Sequence, residues 1–79
     1  MNIIEAIQAA ENGALITNKF MKLSNRFLKY TKVGVFDKYE LIEDRPIYKF
    51  AVRNFTMGEI ISTSWEILPT NYFNALDGN

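Results

Sequence analysis

The chain has 79 residues, of which 48% are hydrophobic and 23% charged, and its nine basic and nine acidic side chains cancel to a net charge of zero. This length forms one small domain, a size at which association between copies is a common way to bury more surface. The zero net charge argues against bulk electrostatic attraction to nucleic acid or anionic lipid. Cysteine and histidine are both absent, which excludes disulfides, thiol chemistry and histidine-based proton transfer.

The first predicted element is an N-terminal helix. Asn2, with Glu5 three residues later, has the spacing of a helix cap, and the apolar residues that follow recur with a helical period. Asn12 and Gly13 then predict a left-handed helix end. Because acidic side chains interrupt this segment and no apolar run approaches the roughly twenty residues that span a bilayer, we expect no signal peptide, no membrane contact and a cytoplasmic location.

Four strand candidates follow this helix: residues 14–21, 27–33, 36–42 and 47–53. A glycine turn at residues 33–34 precedes the third candidate, and an acidic turn at residues 43–46 precedes the fourth. In the fourth, alternation places Tyr48, Phe50 and Val52 on one face. This pattern predicts a half-buried antiparallel strand.

A second helix and a last strand are predicted in the segment with the clearest pattern of the chain. Thr56 and Glu59 have capping-box spacing, which predicts a single turn of helix. Ile60 and Ile61 are expected to bury that turn. Trp65 then resumes a period of two, and a lone tryptophan in an apolar strand is typical of a core or a subunit interface.

These elements predict an α+β fold in the order helix, four strands, helix, strand. We expect a small antiparallel sheet of about five strands, with an N-terminal helix and a short second helix before the last strand. The compact domain is predicted to cover residues 1–68. Residues 69–79 form a tail that is expected to dock on the domain or on a neighbouring subunit.

Charge is distributed unevenly along the chain. A stretch of fourteen residues holds five basic side chains and no acid: Lys19, Lys22, Arg26, Lys29 and Lys32. An acidic group follows directly: Asp37, Glu40, Glu43 and Asp44. This division predicts a basic and an acidic side of the sheet. The basic residues alternate with aromatic ones, which suits a phosphate-bearing ligand with a base to stack, but lysines that protect an exposed sheet edge would give the same pattern.

A candidate anion site precedes the second helix. Residues 53–56, Arg-Asn-Phe-Thr, bring a guanidinium, an amide and an aromatic ring to the helix N-terminus, where backbone amides attract anions. Ordinary capping by Thr56 and Glu59 is the alternative interpretation. Catalysis is not expected, because the carboxylates form no convincing pair and the serines have no histidine to activate them. We therefore expect a binding protein rather than an enzyme, with no metal and no cofactor.

Residues 56–66, TMGEIISTSWE, carry a family resemblance when taken with a short helix ending at Gly13 and a strand at residues 16–17. The pattern resembles the phage family of Thoeris anti-defence proteins of the second type. The resemblance implies a homodimer or homotetramer in the host bacterial cytoplasm. Such a protein sequesters a cyclic ADP-ribose-type immune signal, or cyclic oligonucleotides, without cleaving it.

Carried over position by position, the resemblance implies Asn18 as amide donor, Phe20 or Met21 as an apolar wall, Arg53 as phosphate partner, and Thr56 with its helix amides as an anion cradle. With Asn54 from the anion site described above, the predicted ligand site has six residues. The family carries Arg and Trp where this chain has Asn18 and Met21. Two other functions remain open. One is a phage inhibitor that binds a host protein through residues 37–44 and 72–76, and the weaker one is a single-stranded nucleic-acid binder using residues 19–32.

Overall fold

The computed structural model describes residues 1–69 of the chain. Its elements are α1 (Ile3–Glu11), β1 (Ile16–Thr17), α2 (Lys19–Leu23), β2 (Arg26–Lys32), β3 (Val35–Ile42), β4 (Arg45–Val52), α3 (Met57–Ile61) and β5 (Glu66–Ile67). The strands form one antiparallel sheet in the order β4-β3-β2-β1-β5. The predicted α+β fold with five antiparallel strands is confirmed. The predicted docking of the tail falls on residues 70–79, outside the described part.

Both predicted helix caps are present. The Asn2 side chain accepts a hydrogen bond from the Glu5 amide at 2.9 Å, and the Glu5 carboxylate accepts one from the Asn2 amide at 3.0 Å. Thr56 and Glu59 form the same reciprocal pair at α3. Gly13, with a φ of 99°, ends the first helical segment as expected. None of the described helices is long and apolar enough to cross a membrane.

Helix α2 replaces most of the first predicted strand. Only two residues of the predicted 14–21 strand are extended in β1, and the chain then turns into a helix. Asn18 is the N-cap, because its side-chain oxygen accepts a hydrogen bond from the Met21 amide at 2.9 Å. The prediction of a long strand here was wrong, since an asparagine cap begins a helix where partial alternation suggested extended chain.

The β3–β4 hairpin has a tighter turn than predicted. Ile42 pairs with Arg45, so Glu43 and Asp44 alone form the loop. Both have positive φ angles, 52° and 65°, as a two-residue hairpin turn of type I′ requires. Glu43 and Asp44 both carry a Cβ, so a positive φ is less favourable for them than for glycine.

This turn should accept a stabilising change. Replacing Glu43 and Asp44 by Asn and Gly is expected to raise the free energy of unfolding by about 1 kcal/mol, because Asn-Gly adopts both positive φ angles more readily. Urea titration followed by circular dichroism measures the change. Gly34→Ala is the matched control: Gly34 has a φ of 78° in the other hairpin turn, so this variant should lose stability. Equal stability of the Asn-Gly variant and the parent would contradict the assignment of strain to this turn.

Strand β4 is an irregular edge strand rather than a regular half-buried one. Its pairing to β3 passes from Lys38–Phe50 to Tyr39–Tyr48, so Lys49 is the extra residue of a β-bulge. The bulge places Tyr48 and Phe50 on opposite faces of the sheet, which corrects the prediction that they share one. Both side chains are also exposed, at 52% and 48%, because β4 has a neighbouring strand on one side only.

Two apolar clusters cover the two faces of the sheet. Leu28 lies in the larger cluster with α1 and α2, and the adjacent Phe27 lies in the smaller one with Leu68. Consecutive strand residues point to opposite faces, which explains how neighbours serve different clusters. Trp65 is 2% exposed and belongs to the larger cluster, so its predicted burial is confirmed as part of the core of the domain.

Helix α3 buries no side chain. Ile60 and Ile61 are 47% and 70% exposed, so the prediction that they bury this turn was wrong for the single chain. The helix is held by its cap and by Trp65, whose indole N–H donates to the Glu59 carbonyl at 2.9 Å. Its apolar residues are therefore available to another surface.

Candidate functional site

A cleft of about 310 Å³ lies between α2, the first turn of α3 and strands β2 and β3. Its lining consists of Phe20, Met21, Ser24, Arg26, Lys38, Thr56, Gly58 and Glu59. Three of the six predicted ligand residues, Phe20, Met21 and Thr56, therefore meet at one place. Hydrogen bonds to residues 64–65 bring the two helices together, although they are far apart in the sequence. In α2 the Lys19 amide donates to residue 64, and in α3 the Glu59 carbonyl accepts from residue 65.

Neighbouring residues of α2 contribute differently to this cleft. Met21 is 6% exposed and belongs to the core, so it lines the cleft from the inside. Phe20 is 65% exposed and leaves its ring accessible to a ligand. The short helix thus supplies both a fixed apolar wall and an aromatic surface.

Two cations line the cleft from the sheet. Across the β2–β3 ladder, Arg26 pairs with Glu40, and Leu28, two residues further along β2, pairs with Lys38. Strand residues two apart share a face, so Arg26 and Lys38 lie on the same face of the sheet. The Arg26 Nε donates to Glu40 at 2.9 Å. Lys38 forms no ion pair with a described residue, and its amine lies 5.3 Å from the centroid of the Phe50 ring. Lys38 is therefore the cation of the cleft that lacks a carboxylate partner within residues 1–69.

The start of α3 already holds a negative charge. The Glu59 carboxylate accepts a hydrogen bond from the Thr56 amide at 2.8 Å, and the Thr56 hydroxyl accepts one from the Glu59 amide at 3.2 Å. This carboxylate would repel an anion that approached the same amides. Capping is thus the role that these contacts give Thr56, and we assign no anion cradle to this five-residue helix.

The other three predicted ligand residues do not line the cleft. Asn18 is 1% exposed and its side-chain oxygen is used as the α2 cap. Arg53 and Asn54 are exposed and lie between β4 and α3. Sequence reasoning missed Lys38 as a cleft residue, and its position follows from hairpin register. Arg26 was seen only as a member of the basic stretch.

The basic and acidic stretches do not form two separate sides of the sheet. Antiparallel pairing sets Arg26 opposite Glu40 and Lys29 opposite Asp37. Lys22 pairs instead with Glu66, at 2.7 Å. The division seen along the sequence is therefore largely cancelled across strands, which leaves local cations such as Lys38 rather than a basic face.

The opposite face of the sheet carries a stacked aromatic pair. The Phe27 and Tyr39 rings lie 5.5 Å apart, and Tyr48 meets Tyr39 edge-on at 5.9 Å. Burial raises the pKa of the Tyr39 phenol from its ordinary value, with the Asp37 carboxylate and Tyr48 adding to the shift. The surroundings of Tyr39 therefore favour the uncharged phenol.

A second cavity, of about 380 Å³, lies at the β1–β5 end of the sheet. Lys22 and Glu66, two of its lining residues, neutralise each other. The α2–α3 cleft is the better candidate for an anionic ligand because Lys38 has no such partner. Within residues 1–69, no group of three or more acidic, histidine or cysteine side chains could hold a metal ion. No protein-family model, curated protein or solved structure matches the chain.

Proposed function

We propose that the protein binds a nucleotide-type ligand in the α2–α3 cleft and holds it unchanged, so that it acts by sequestration. The main support is that three residues singled out from the sequence converge in a cleft with a cation that has no carboxylate partner. Phe20 and Met21 come from one helix and Thr56 caps another. Such convergence of an aromatic ring and cations suits a base joined to phosphate groups.

The cleft offers distinct contacts to the two parts of such a ligand. The exposed Phe20 ring stacks on the base, and the Lys38 amine meets a phosphate. Arg26 keeps its terminal nitrogens for a second phosphate contact, because its hydrogen bond to Glu40 uses Nε. A cyclic ADP-ribose-type signal, which combines a base with a pyrophosphate, fits this set of contacts.

Capture without conversion is favoured by the groups around the cleft. Glu59 is the carboxylate that lines it, and its Oε1 is bound to the Thr56 amide. Ser24 also lines the cleft, but the chain has no histidine to activate it. With its resemblance to the phage anti-defence family, the protein is proposed to remove an immune signal from the host bacterial cytoplasm.

Retention of ligand tests this function directly. The protein is incubated separately with cyclic ADP-ribose, ADP-ribose and a cyclic dinucleotide, filtered to remove free ligand, and then denatured. We expect intact ligand in the fraction released by denaturation. Lys38→Met should lower retention about tenfold, since a charge-assisted contact contributes about 1.5–3 kcal/mol.

Lys29→Met is the matched control. Lys29 is an exposed lysine of β2 that lies outside the cleft lining, so its removal should leave retention unchanged. Recovery of a converted ligand would show an enzyme instead. Failure to retain any of the three probes, or equal losses in both lysine variants, would refute capture in this cleft.

Self-association is the second part of the proposed function. Met57, Ile60 and Ile61 form an exposed apolar stripe on α3, because residues three and four apart share one helix face. Leu23 adds an exposed apolar side chain on α2 that lies outside the cleft lining, whereas the Phe20 ring is left to the ligand. We propose that this surface, here called the α2–α3 apolar surface, joins copies of the chain into a homodimer or homotetramer.

A further inference from the structure

We propose that the outer edge of β4 binds an extended acidic segment of another protein by strand addition. This surface, the β4 edge, consists of the eight residues of β4 and of Arg53, which directly follows the strand, and it lies outside the α2–α3 cleft lining. The proposal does not depend on ligand capture. It concerns a protein partner, and it is carried by the backbone, apolar side chains and charges of one strand.

The backbone of β4 is open along one side. In the described sheet, β4 is the terminal strand and pairs only with β3. Half of the amide and carbonyl groups of such a strand point away from its neighbour, which makes an edge of this length a template for one more strand. The strand has eight residues, a usual length for a β-strand, and the bulge at Lys49 divides its pairing into two parts.

Apolar side chains flank this open backbone on both faces. Ile47 and Phe50 lie on the face of Glu40 and Lys38, their β3 partners, and Tyr48 lies on the other face because of the bulge at Lys49. All three are between 42% and 52% exposed. A strand added at this edge would place cross-strand side chains beside them on both faces of the sheet, which gives side-chain contacts in addition to the backbone ladder.

The charges of the β4 edge specify the chemistry of the partner. Arg45, Lys49 and Arg53 recur every four residues, and residues 45–53 contain no acid. None of the three forms an ion pair with a described residue. An acidic segment would therefore gain attraction along the whole edge.

A second copy of the same strand is a poor partner. Antiparallel self-pairing would bring basic side chains together, which destabilises a ladder. Pro46 has no N–H to donate and the bulge at Lys49 distorts the strand, so neither residue adds a regular rung to a ladder with any partner. Charge is therefore what distinguishes the two partners: the unpaired cations repel a second copy and attract an acidic segment.

Fluorescence anisotropy with designed peptides tests the proposal. The probe is a labelled ten-residue peptide that alternates Glu with Val and Thr. Two matched peptides serve as controls. One has Lys in place of every Glu, and the other keeps Glu but carries N-methyl groups on alternate backbone amides. We expect binding of the acidic peptide, about tenfold weaker binding of the N-methylated one because it cannot complete the ladder, and no binding of the basic one.

Protein variants locate the binding surface. Lys49→Glu combined with Arg53→Glu should weaken the binding of the acidic peptide at least about tenfold, and it should leave ligand retention in the cleft unchanged. Lys29→Glu, on an interior strand, should leave peptide binding nearly unchanged, and circular dichroism confirms that each variant folds. Absence of acidic-peptide binding, equal binding of the N-methylated peptide, or an unaltered affinity in the double variant would each overturn the proposal.

Discussion

Replacing Trp65 by alanine is expected to lower the free energy of unfolding by about 3–5 kcal/mol. Domains of this size are stable by roughly 5–15 kcal/mol, so the variant should lose a large share of its stability. Trp65 is 2% exposed and is the largest fully buried side chain of the described residues. Its removal leaves a cavity in the cluster that joins α1 to the sheet.

The position of Trp65 explains why one side chain has so large an effect. Its ring meets Phe55 edge-on at 5.9 Å, and Phe55 meets Phe36 of β3 at 5.5 Å. Its indole N–H is bound to the Glu59 carbonyl, and its own carbonyl accepts a hydrogen bond from the N-terminal amine at 2.9 Å. Through these contacts Trp65 connects α3, the N-terminus and the sheet.

Urea unfolding followed by circular dichroism measures this loss, since the variant lacks the tryptophan that fluorescence would report. Trp65→Phe should recover part of the stability, because it keeps an aromatic ring but loses the hydrogen bond to α3. Val33→Ala is the control: Val33 is 86% exposed in the β2–β3 turn, so its removal should change stability by less than about 0.5 kcal/mol. A loss below about 1 kcal/mol in Trp65→Ala would contradict the central role of this residue.

Replacing Ile61 by lysine is expected to convert the assembled protein into monomers. Ile61 is 70% exposed in the single chain, so the new charge costs the monomer little. In an assembly that covers the α2–α3 apolar surface, the same lysine would be buried without a partner, which costs several kcal/mol. The change should therefore act on association and leave the fold intact.

The exposure of the α2–α3 apolar surface supports this expectation. Its four side chains are between 47% and 80% exposed: Leu23, Met57, Ile60 and Ile61. A stable interface buries roughly 800 Å² per partner, and these side chains would form its apolar centre. An amphipathic helix that buries none of its own apolar stripe is expected to do so against another surface.

Multi-angle light scattering checks the assembly. The parent should have the mass of a dimer or tetramer, and Ile61→Lys should have the mass of one chain, about 9.1 kDa. Val33→Lys is the control, because Val33 is 86% exposed in the β2–β3 turn, away from both helices. A monomeric parent, or an Ile61→Lys variant of unchanged mass, would refute association through this surface.

Local patterns in the sequence predicted the features that depend on residues close together in the chain. The capping pairs Asn2–Glu5 and Thr56–Glu59 predicted the starts of α1 and α3, because each hydrogen bond spans only three residues. Alternation and turn residues placed β2, β3 and β4 within about two residues. The missed element, α2, also had a local signal, since Asn18 is a favourable N-cap.

The candidate site was predicted only in part, because its members depend on packing between elements. Phe20 and Thr56 meet in the cleft because hydrogen bonds tie both helices to residues 64–65, and Lys38 enters it through the register of β2 and β3. Arg53 was favoured for its nearness to Thr56 along the chain. The cleft lining does not include it, since it follows an edge strand whose path the sequence pattern did not specify.

Helix caps, turns and the α+β class could thus be read from the chain, because they rest on contacts within a few residues. Exposure, pairing of charges and the cleft could not, since they depend on which strands become neighbours. The bulge at Lys49 shows the difference: it places Tyr48 and Phe50 on opposite faces of the sheet, although simple alternation predicts that they share one face. Tertiary packing also decided that Ile60 and Ile61 stay exposed, because none of the other described elements covers that side of α3 in the single chain.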